Sequence, residues 1–295
     1  MKSKYVILAS ALLISVTTFA QKDETKAAEK ALKKGDSKEA ATILAGAESL
    51  IASANEADKA QFFFVKGNTY LDLANKKVDV DTNLGVAAAA YQDLIAAEKA
   101  SGKIKYSTQA AASITEIKYS LINSAIADSK EEKHAIGAKK LYDAYLLDKK
   151  DTLNLYYAAS TYINANDYTN ALKLYNELKD MNFSGQSTVY IATNKASGSE
   201  DSFKSIAERD RMVKLGTHEK PRTEENPSKR GEIFKNISLI LVQEGKTEEA
   251  KKAIAEARIA NPDDSSLLLT EANLYLETKD FDKYKELITK VLEKN

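Results

Sequence analysis

Cysteine, tryptophan and proline are the residue types that this chain of 295 residues lacks or uses least. The absence of cysteine excludes disulfides, thiolate metal ligands, a cysteine nucleophile and a lipid-modified cysteine anchor. Only three prolines occur, and none lies between residues 22 and 180, so no proline interrupts helices there. Alanine, lysine, glutamate and leucine are abundant instead, and this composition favours helix.

Neither sign of charge is in excess, because 43 basic residues balance 43 acidic ones. A protein that binds a phosphate backbone needs a strong basic excess or a basic stripe, so we expect no nucleic-acid partner. Hydrophobic residues make up 43% of the chain and charged residues 29%, which is typical of a folded protein rather than a disordered one.

The first twenty residues have the pattern of a secretory signal peptide. Lys2 and Lys4 precede an apolar run, Tyr5 to Phe19, that is too short and too rich in serine and threonine to span a bilayer comfortably. Thr18-Phe19-Ala20 then places small residues before a cleavage site. We expect residues 1–20 to direct export to the periplasm, with secretion and an N-terminal membrane anchor as alternatives. The mature chain should have no stable membrane insertion.

A repeat of 34 residues organises the C-terminal part of the sequence. In each copy the apolar residues fall on one face of a first helix and then on one face of a second. In the upstream copy these residues are Phe234, Ile237, Ser238 and Leu241, followed by Ala250, Ile254 and Ala257. In the last copy they are Leu268, Ala272 and Tyr275, followed by Tyr284, Ile288 and Val291.

Further copies lie upstream. One runs from Leu155 to Leu178 with a turn at Asn166-Asp167, and another turn and second helix begin near Asp36. A copy from Phe63 to Leu94 is lengthened, and Lys76 to Asn83 is predicted to be a polar loop. A further pair is predicted around Gly137, with Ser107 to Ala127 as its first helix.

This pattern resembles the tetratricopeptide repeat. The residues that match its motif most closely are Phe234, Ile237, Ser238, Leu241, Ala250, Ile254, Ala257 and Pro262. Lys66, Glu271 and Tyr284 depart from the motif. The resemblance covers most of residues 24–180 and 229–295, and it implies an all-α, right-handed solenoid of antiparallel helix pairs. Exported tetratricopeptide proteins of Gram-negative envelopes are similar.

An insertion of about 46 residues breaks the repeat period. Thr188–Thr193 and Ser202–Lys204 are predicted to form a short β-hairpin, Ser205–Lys214 a helix, and His218–Lys229 a loop with two prolines. The sequence therefore predicts a signal peptide at 1–20 and N-terminal repeats at 21–180. The insertion follows at 181–230, and a C-terminal pair of repeats at 231–295.

No motif for catalysis, metal binding or cofactor binding is present. The two histidines, His134 and His218, have no metal-site spacing, and neither a nucleophile elbow nor a phosphate-binding loop occurs. We therefore expect a protein without a cofactor that is not an enzyme. His134 is predicted at a solvated helix N-terminus. His218, near Arg209 and Asp210, is predicted to lie in a polar loop, with a functional cluster as the alternative.

The resemblance also implies a concave groove lined by the first helices of the repeats. The residues that it selects are Phe64, Asn68 and Leu71, then Tyr156, Ser160, Ile163 and Asn164, and finally Leu269, Asn273 and Leu276. Asn68, Ser160 and Asn273 could hydrogen-bond an extended peptide, with Phe64 and Tyr156 as anchors. Solvation of the groove is the alternative role of these residues.

Three functional hypotheses follow. The first is a scaffold or adaptor of the cell envelope that binds a protein or peptide through the groove. The second is a component of an envelope uptake system that binds a small ligand or a glycan, with rings of the fifteen tyrosines as stacking platforms. The third is a hydrolase within the insertion.

Overall fold

The computed structural model describes residues 22–293, which form thirteen helices and one three-stranded sheet. The helices are α1 (22–33), α2 (Ser37–Ile51), α3 (Glu56–Asn75), α4 (Val80–Ser101), α5 (Ser107–Lys130), α6 (His134–Leu147), α7 (Thr152–Asn164), α8 (Tyr168–Asp180), α9 (Ile206–Lys214), α10 (Arg230–Gln243), α11 (Thr247–Ala260), α12 (Ser265–Glu277) and α13 (Phe281–Glu293). The prediction of helix pairs is confirmed. The signal peptide that we predict lies outside the described residues.

The described residues divide into two compact units. The first unit consists of residues 22–126 with 146–148, and the second consists of residues 127–145 with 149–293. Helices α5 and α6 contribute residues to both units. The insertion lies within the second unit, and its predicted boundaries at residues 181 and 230 stay a prediction.

The first unit contains a close crossing of two helices, α3 and α4. A Cβ atom on Gly67 would lie 2.5 Å from the ring of Tyr91, so the small residue lets the two helices approach. Ala87 and Tyr91, one turn apart on α4, are fully buried at this contact. At this contact the small Gly67 lies directly against the large ring of Tyr91.

The predicted loop from Lys76 to Asn83 is wrong in its second half, because α4 begins at Val80. Only four residues separate α3 from α4. Asp79, the last of them, adopts a left-handed φ of 35°, and this conformation lets the chain reverse within the short connection. The Asn83 side chain donates a hydrogen bond to the Val78 carbonyl at 2.7 Å, so this carbonyl just before α4 has a partner.

The second unit contains three helix pairs, α7 with α8, α10 with α11, and α12 with α13. Ala159, Ala171, Ala250 and Ala272 are fully buried where the helices of these pairs meet. Helix α10 also packs against α8 and α12, so successive pairs stack on one another. Asp167 caps α8 by accepting from the Asn170 amide at 3.1 Å, as its position in the predicted turn suggests.

The insertion forms an antiparallel sheet in the order β2-β1-β3, with β1 at Ser187–Asn194, β2 at Glu200–Phe203 and β3 at His218–Asn226. The β1–β2 hairpin and helix α9 confirm the prediction, and α9 packs on all three strands. The predicted loop after His218 is wrong, because these residues form strand β3. The register shifts opposite Ala192, so Lys220 and Pro221 form a bulge on an edge strand, where a proline is tolerated.

None of the helices in the described range, residues 22–293, is long and apolar enough to cross a membrane.

Candidate binding surface of the first helices

Helices α10 and α12 lie side by side and form a groove between them. This α10–α12 groove contains a pocket of about 210 Å³, and the residues that line the pocket are Lys235, Ser238, Leu239, Thr270, Asn273, Leu274, Leu276 and Glu277. It arises because each helix turns one apolar face toward its own second helix and another toward its neighbour. The remaining side, with Leu239, Asn273 and Leu276, is left facing solvent.

Exposed leucines give the groove its apolar character. Leu239 is 41% exposed and Leu276 is 39% exposed, while Leu269, one turn before Asn273, is 42% exposed. In contrast, Leu267 and Leu274 on the same helix are buried. The leucines of α12 therefore divide into a core set and a surface set, and the surface set includes two residues that the repeat resemblance selected.

Polar groups lie beside these leucines. Ser238 is buried, and its Oγ has no hydrogen-bond partner among residues 22–293 although the residue lines the pocket. Lys235, Asn273 and Glu277 are exposed around the pocket. The groove can thus offer an amide and charges of both signs to a molecule that covers the leucines.

The sequence analysis missed Leu239, although a signal was present. Leu239 lies 34 residues before Asn273 and therefore occupies the same position on α10 that Asn273 occupies on α12. A search for recurring asparagine and serine passes over a leucine at this position. The residues selected from the sequence therefore omit Leu239 and include too little of the apolar surface of the groove.

Helix α7 places its selected residues differently. Tyr156 is buried, its hydroxyl donates to Glu232 at 2.5 Å, and its ring packs near Phe183. Burial and the Glu232 carboxylate both raise the pKa of Tyr156, as expected for a neutral donor inside the fold. Tyr156 is therefore not accessible as the peptide anchor that we predicted.

The other selected residues of α7 lie toward its C-terminal half. Ser160 is half-buried and hydrogen-bonds the hydroxyl of Tyr175 on α8. Ile163 is half-buried, and Asn164, the last residue of the helix, is exposed. Of this set, Asn164 is the residue with an exposed side chain.

In the first unit, the selected residues take part in contacts within the fold. The Phe64 ring stacks on that of Tyr106 with centroids 4.3 Å apart. The Tyr91 hydroxyl donates to Asn68 at 2.7 Å, and Leu71 is half-buried. The structure thus gathers Leu269, Asn273 and Leu276 on one exposed face, and it gives Phe64 and Asn68 packing roles.

His218 lies in a polar cluster within the insertion. It is buried, its Nε2 lies 2.9 Å from Asp201 Oδ2, and its Nδ1 lies 2.9 Å from the Thr217 hydroxyl. Hydrogen bonds from His218 and Asn194 hold the pKa of the Asp201 carboxyl below its ordinary value. The Thr217 hydroxyl also donates to the carbonyl of Met212 on α9, so the cluster ties β2, β3 and α9 together.

Arg209, which was expected near His218, forms its hydrogen bonds with other residues. Arg209 is buried, donates to the Arg222 carbonyl at 3.0 Å and pairs with its neighbour Asp210. Within the described range, no group of three or more histidine, aspartate or glutamate side chains is arranged to hold a metal ion. The polar groups of the insertion thus connect its helix to its sheet.

The chain was compared with known proteins. No family model matches it, and no curated protein sequence matches it. Similar solved structures include a tetratricopeptide repeat protein from Parabacteroides merdae ATCC 43184, with 14% identity, a TM-score of 0.35, and coverage of 93% of this chain and 79% of that chain. Pseudomonas aeruginosa pilF is similar at 10% identity and a TM-score of 0.32, with coverage of 92% and 90% of the two chains.

A third similar structure is that of NprR in complex with its cognate peptide NprX, with 14% identity, a TM-score of 0.32, and coverage of 94% and 66% of the two chains. At these identities and TM-scores, the functions of the three proteins do not extend to this chain. Its own antiparallel helix pairs and their 34-residue spacing give it a helical repeat fold, which is the fold that the tetratricopeptide resemblance implies.

Proposed function

We propose that this protein is a non-enzymatic scaffold that binds an extended segment of another protein in the α10–α12 groove. The observation that carries the proposal is the row of exposed leucines beside a pocket of about 210 Å³. A contiguous apolar surface rimmed by polar groups is typical of an interaction site. One aliphatic or aromatic side chain of the partner would fill the pocket between Leu239 and Leu276.

The polar groups of the groove support a peptide rather than a purely apolar ligand. Asn273 has both an amide donor and a carbonyl acceptor, which is the combination that an extended backbone requires. Lys235 and Glu277 would select for charge at the ends of the bound segment.

The place of action that we propose is the periplasm, and it is supported by the signal-peptide pattern of residues 1–20 alone. Cell fractionation combined with mass spectrometry of the N-terminus tests this part. We expect a periplasmic protein that begins at Gln21. Recovery of a cytoplasmic chain that still carries Lys2 and Lys4 would contradict it.

Peptide selection tests the groove. A phage-displayed library of random peptides is selected on the mature protein, and the affinity of the selected peptides is measured by calorimetry. The test variant is Leu239→Glu with Leu276→Glu, which puts two charges into the apolar groove. The matched control is Ile259→Glu, because Ile259 lies on the second helix α11 and is 82% exposed.

We expect the double variant to lose at least about tenfold in affinity, since each removed contact is an apolar anchor of the interface. The Ile259 control should bind as the unchanged protein does, and circular dichroism should show the same helical content in all three. Equal affinity of the unchanged protein and the double variant would refute the groove as the binding site.

A further inference from the structure

His218 has two hydrogen-bonding neighbours, one at each ring nitrogen. Its Nε2 lies 2.9 Å from Asp201 Oδ2 on β2, and its Nδ1 lies 2.9 Å from the Thr217 Oγ1 atom. The residue is 5% exposed, so water has little access to replace either neighbour. Because a neutral imidazole has only one N–H group, the roles of these two neighbours determine how many protons the ring must carry.

The hydroxyl of Thr217 gives its proton to a different acceptor. Thr217 Oγ1 donates to the Met212 carbonyl at 3.0 Å. A hydroxyl carries one proton and a carbonyl oxygen has none to donate, so the hydroxyl offers only a lone pair to His218. The contact between Thr217 and His218 is therefore a hydrogen bond only if Nδ1 carries a proton.

The end of α9 explains why the Met212 carbonyl takes the proton of Thr217. In a continued α-helix the Gly216 amide would donate to Met212, four residues earlier. Gly216 instead has a left-handed φ of 77°, and its amide donates to the Val213 carbonyl at 3.0 Å. Met212 thus has one of the carbonyls that a helix C-terminus leaves for other donors. We call its hydrogen bond with the Thr217 hydroxyl the Thr217–Met212 link.

The carboxylate at the other ring nitrogen also accepts. Asp201 Oδ2 accepts from Asn194 Nδ2 at 3.1 Å, and the Asn194 oxygen in turn accepts from the Ala196 amide at 2.9 Å, which fixes the orientation of the side-chain amide. Hydrogen bonds from His218 and Asn194 lower the pKa of Asp201, so at neutral pH the carboxylate has no proton to donate. Nε2 must therefore carry a proton as well.

The surroundings of His218 accommodate a positive charge on its ring. The inward-facing charged groups of the elements packed around it are Asp201 on β2 and Arg209, with its partner Asp210, on α9. On β1 the residue opposite His218 is the neutral Asn194, and Glu219 on β3 points to the other face of the sheet. Since Asp210 already balances the charge of Arg209, the Asp201 carboxylate is left to balance that of His218.

We propose that His218 is a pH-sensitive device that carries protons on both ring nitrogens and releases the Thr217–Met212 link when it loses one of them to water. The remaining proton stays on Nε2, because the Asp201 carboxylate there only accepts. Nδ1 then becomes an acceptor, and the Thr217 hydroxyl rotates to donate to it. The Met212 carbonyl loses this donor, so the end of α9 is held to the start of β3 by one hydrogen bond fewer.

The direction of the pH effect follows from these charges. Histidine is the side chain that ordinarily changes its charge between pH 5 and pH 8. The link is intact on the acidic side of the His218 titration and lost on the alkaline side. Asp201 sets the opposite limit, because its lowered pKa keeps the carboxylate ionised until the pH falls below the ordinary range of an aspartate. The device uses no residue of the α10–α12 groove, so it does not depend on peptide binding there.

Nuclear magnetic resonance of the mature chain, with nitrogen-15 in its two histidines, tests the protonation of the ring. The chemical shifts of Nδ1 and Nε2 show which nitrogen carries a proton, and a His134→Gln variant identifies the signals of His218. We expect both nitrogens of His218 to carry protons at pH 5, and Nδ1 to lose its proton by pH 9. A ring with one proton at pH 5, a ring that keeps two at pH 9, or loss of the proton from Nε2 would each overturn the proposal.

Amide hydrogen exchange tests the release of the link. The Leu215 amide at the end of α9 donates to the Arg211 carbonyl at 3.0 Å, and the Met181 amide makes the matching bond to Glu177 at the end of α8. Protection is the intrinsic exchange rate at each pH divided by the measured rate. We expect the protection of Leu215 to fall about fivefold as His218 loses its proton, because one hydrogen bond is lost. The protection of Met181 should stay constant.

Two variants of Thr217 separate the link from other effects of pH. Thr217→Val keeps the shape of the side chain without its hydroxyl, so Leu215 should show the lower protection at every pH. Thr217→Ser keeps a hydroxyl and should reproduce the fall that the unchanged protein shows. The proposal is overturned if the fall persists in Thr217→Val, or if the protection of Leu215 in the unchanged protein stays constant across the titration of His218.

Discussion

Tyr175 connects two helix pairs through a single side chain. It is fully buried on α8, its hydroxyl accepts from Asn236 on α10, and it also hydrogen-bonds Ser160 on α7. Burial raises the pKa of Tyr175 to about 12, because the phenolate would be desolvated. The residue therefore couples the packing of the repeats to pH in the alkaline range.

We predict that Tyr175→Phe changes the alkaline stability of the protein. The folded pKa lies above the unfolded value of about 10, so the stabilising contribution of Tyr175 is complete below pH 10. It decreases as the pH rises from 10 toward 12, by up to about 3 kcal/mol. At pH 8 the variant should be less stable by about 1 kcal/mol, since the hydrogen bond to Asn236 is lost.

Urea unfolding of both proteins between pH 8 and pH 11.5 measures this effect. The difference in the free energy of unfolding should shrink with rising pH and then change sign. Tyrosines that do not interact with Tyr175 titrate equally in both proteins, so the difference reports mainly on Tyr175. A difference in the free energy of unfolding that stays constant between pH 8 and pH 11.5 would contradict the prediction.

Individual site residues were harder to predict from the sequence than the helices that carry them. Helical periodicity indicates which side of α7 is apolar, but it does not show which neighbour covers that side. Tyr156 is buried by a contact with Glu232, which lies 76 residues further along the chain and beyond the insertion. The exposure of Leu269 and Leu276 could be predicted because the last pair keeps its 34-residue spacing without interruption, and their binding role stays a prediction.

At the scale of elements, the α3–α4 crossing is set by the missing side chain of Gly67. We predict that Gly67→Ala destabilises the protein by about 1–3 kcal/mol, because the added Cβ would overlap the Tyr91 ring. Gly85→Ala on α4 is the matched control. Its Cβ would meet no atom within 4 Å, so it should stabilise the helix by about 0.5–1 kcal/mol.

Thermal and urea unfolding of the two variants measures these opposite effects. A Gly67→Ala variant as stable as Gly85→Ala would mean that the helices separate at no cost. In that case the small residue would not determine how closely α3 and α4 approach.

Helices and turns were predictable here because their signals are local, and strand β3 was not because its pairing is distant. Asp36 and Asp167 each cap the helix that follows by accepting a hydrogen bond from a backbone amide three residues ahead in the sequence. In contrast, Asn226 of β3 pairs with Ser187 of β1, 39 residues away. Strand β3 is charged, lies at an edge of the sheet and contains Pro221, so it lacks the alternation that identifies a strand.

At the scale of the whole molecule, the insertion leaves the repeat array and returns to it at nearly the same point. Ser187 and Asn226 are paired at the end of the sheet, and the Lys229 amide donates to the Ser184 carbonyl at 2.6 Å. The two ends of the inserted chain are therefore close enough to be joined directly. This geometry lets an array built from helix pairs accept a separate sheet-and-helix element.

We predict that residues 188–225 can be replaced by two glycines without unfolding the helix pairs. Paired residues of antiparallel strands have Cα atoms about 5 Å apart, a span that a two-residue turn closes. The Lys229–Ser184 hydrogen bond lies outside the deletion and keeps α10 in place after α8. The deletion variant should unfold cooperatively, with a larger helical signal per residue because the sheet is gone.

Circular dichroism measures the thermal stability of the deletion variant, and calorimetry measures its affinity for peptides. The midpoint of thermal unfolding should stay within about 5 °C of that of the unchanged protein, since the core of each pair is retained. Peptides selected on the α10–α12 groove should bind with unchanged affinity, because Leu239, Asn273 and Leu276 are all retained. If the variant folds and binding is nonetheless lost, the insertion contributes directly to the bound surface. If the variant does not fold, the sheet stabilises the helix pairs, and the separation of the two elements is refuted.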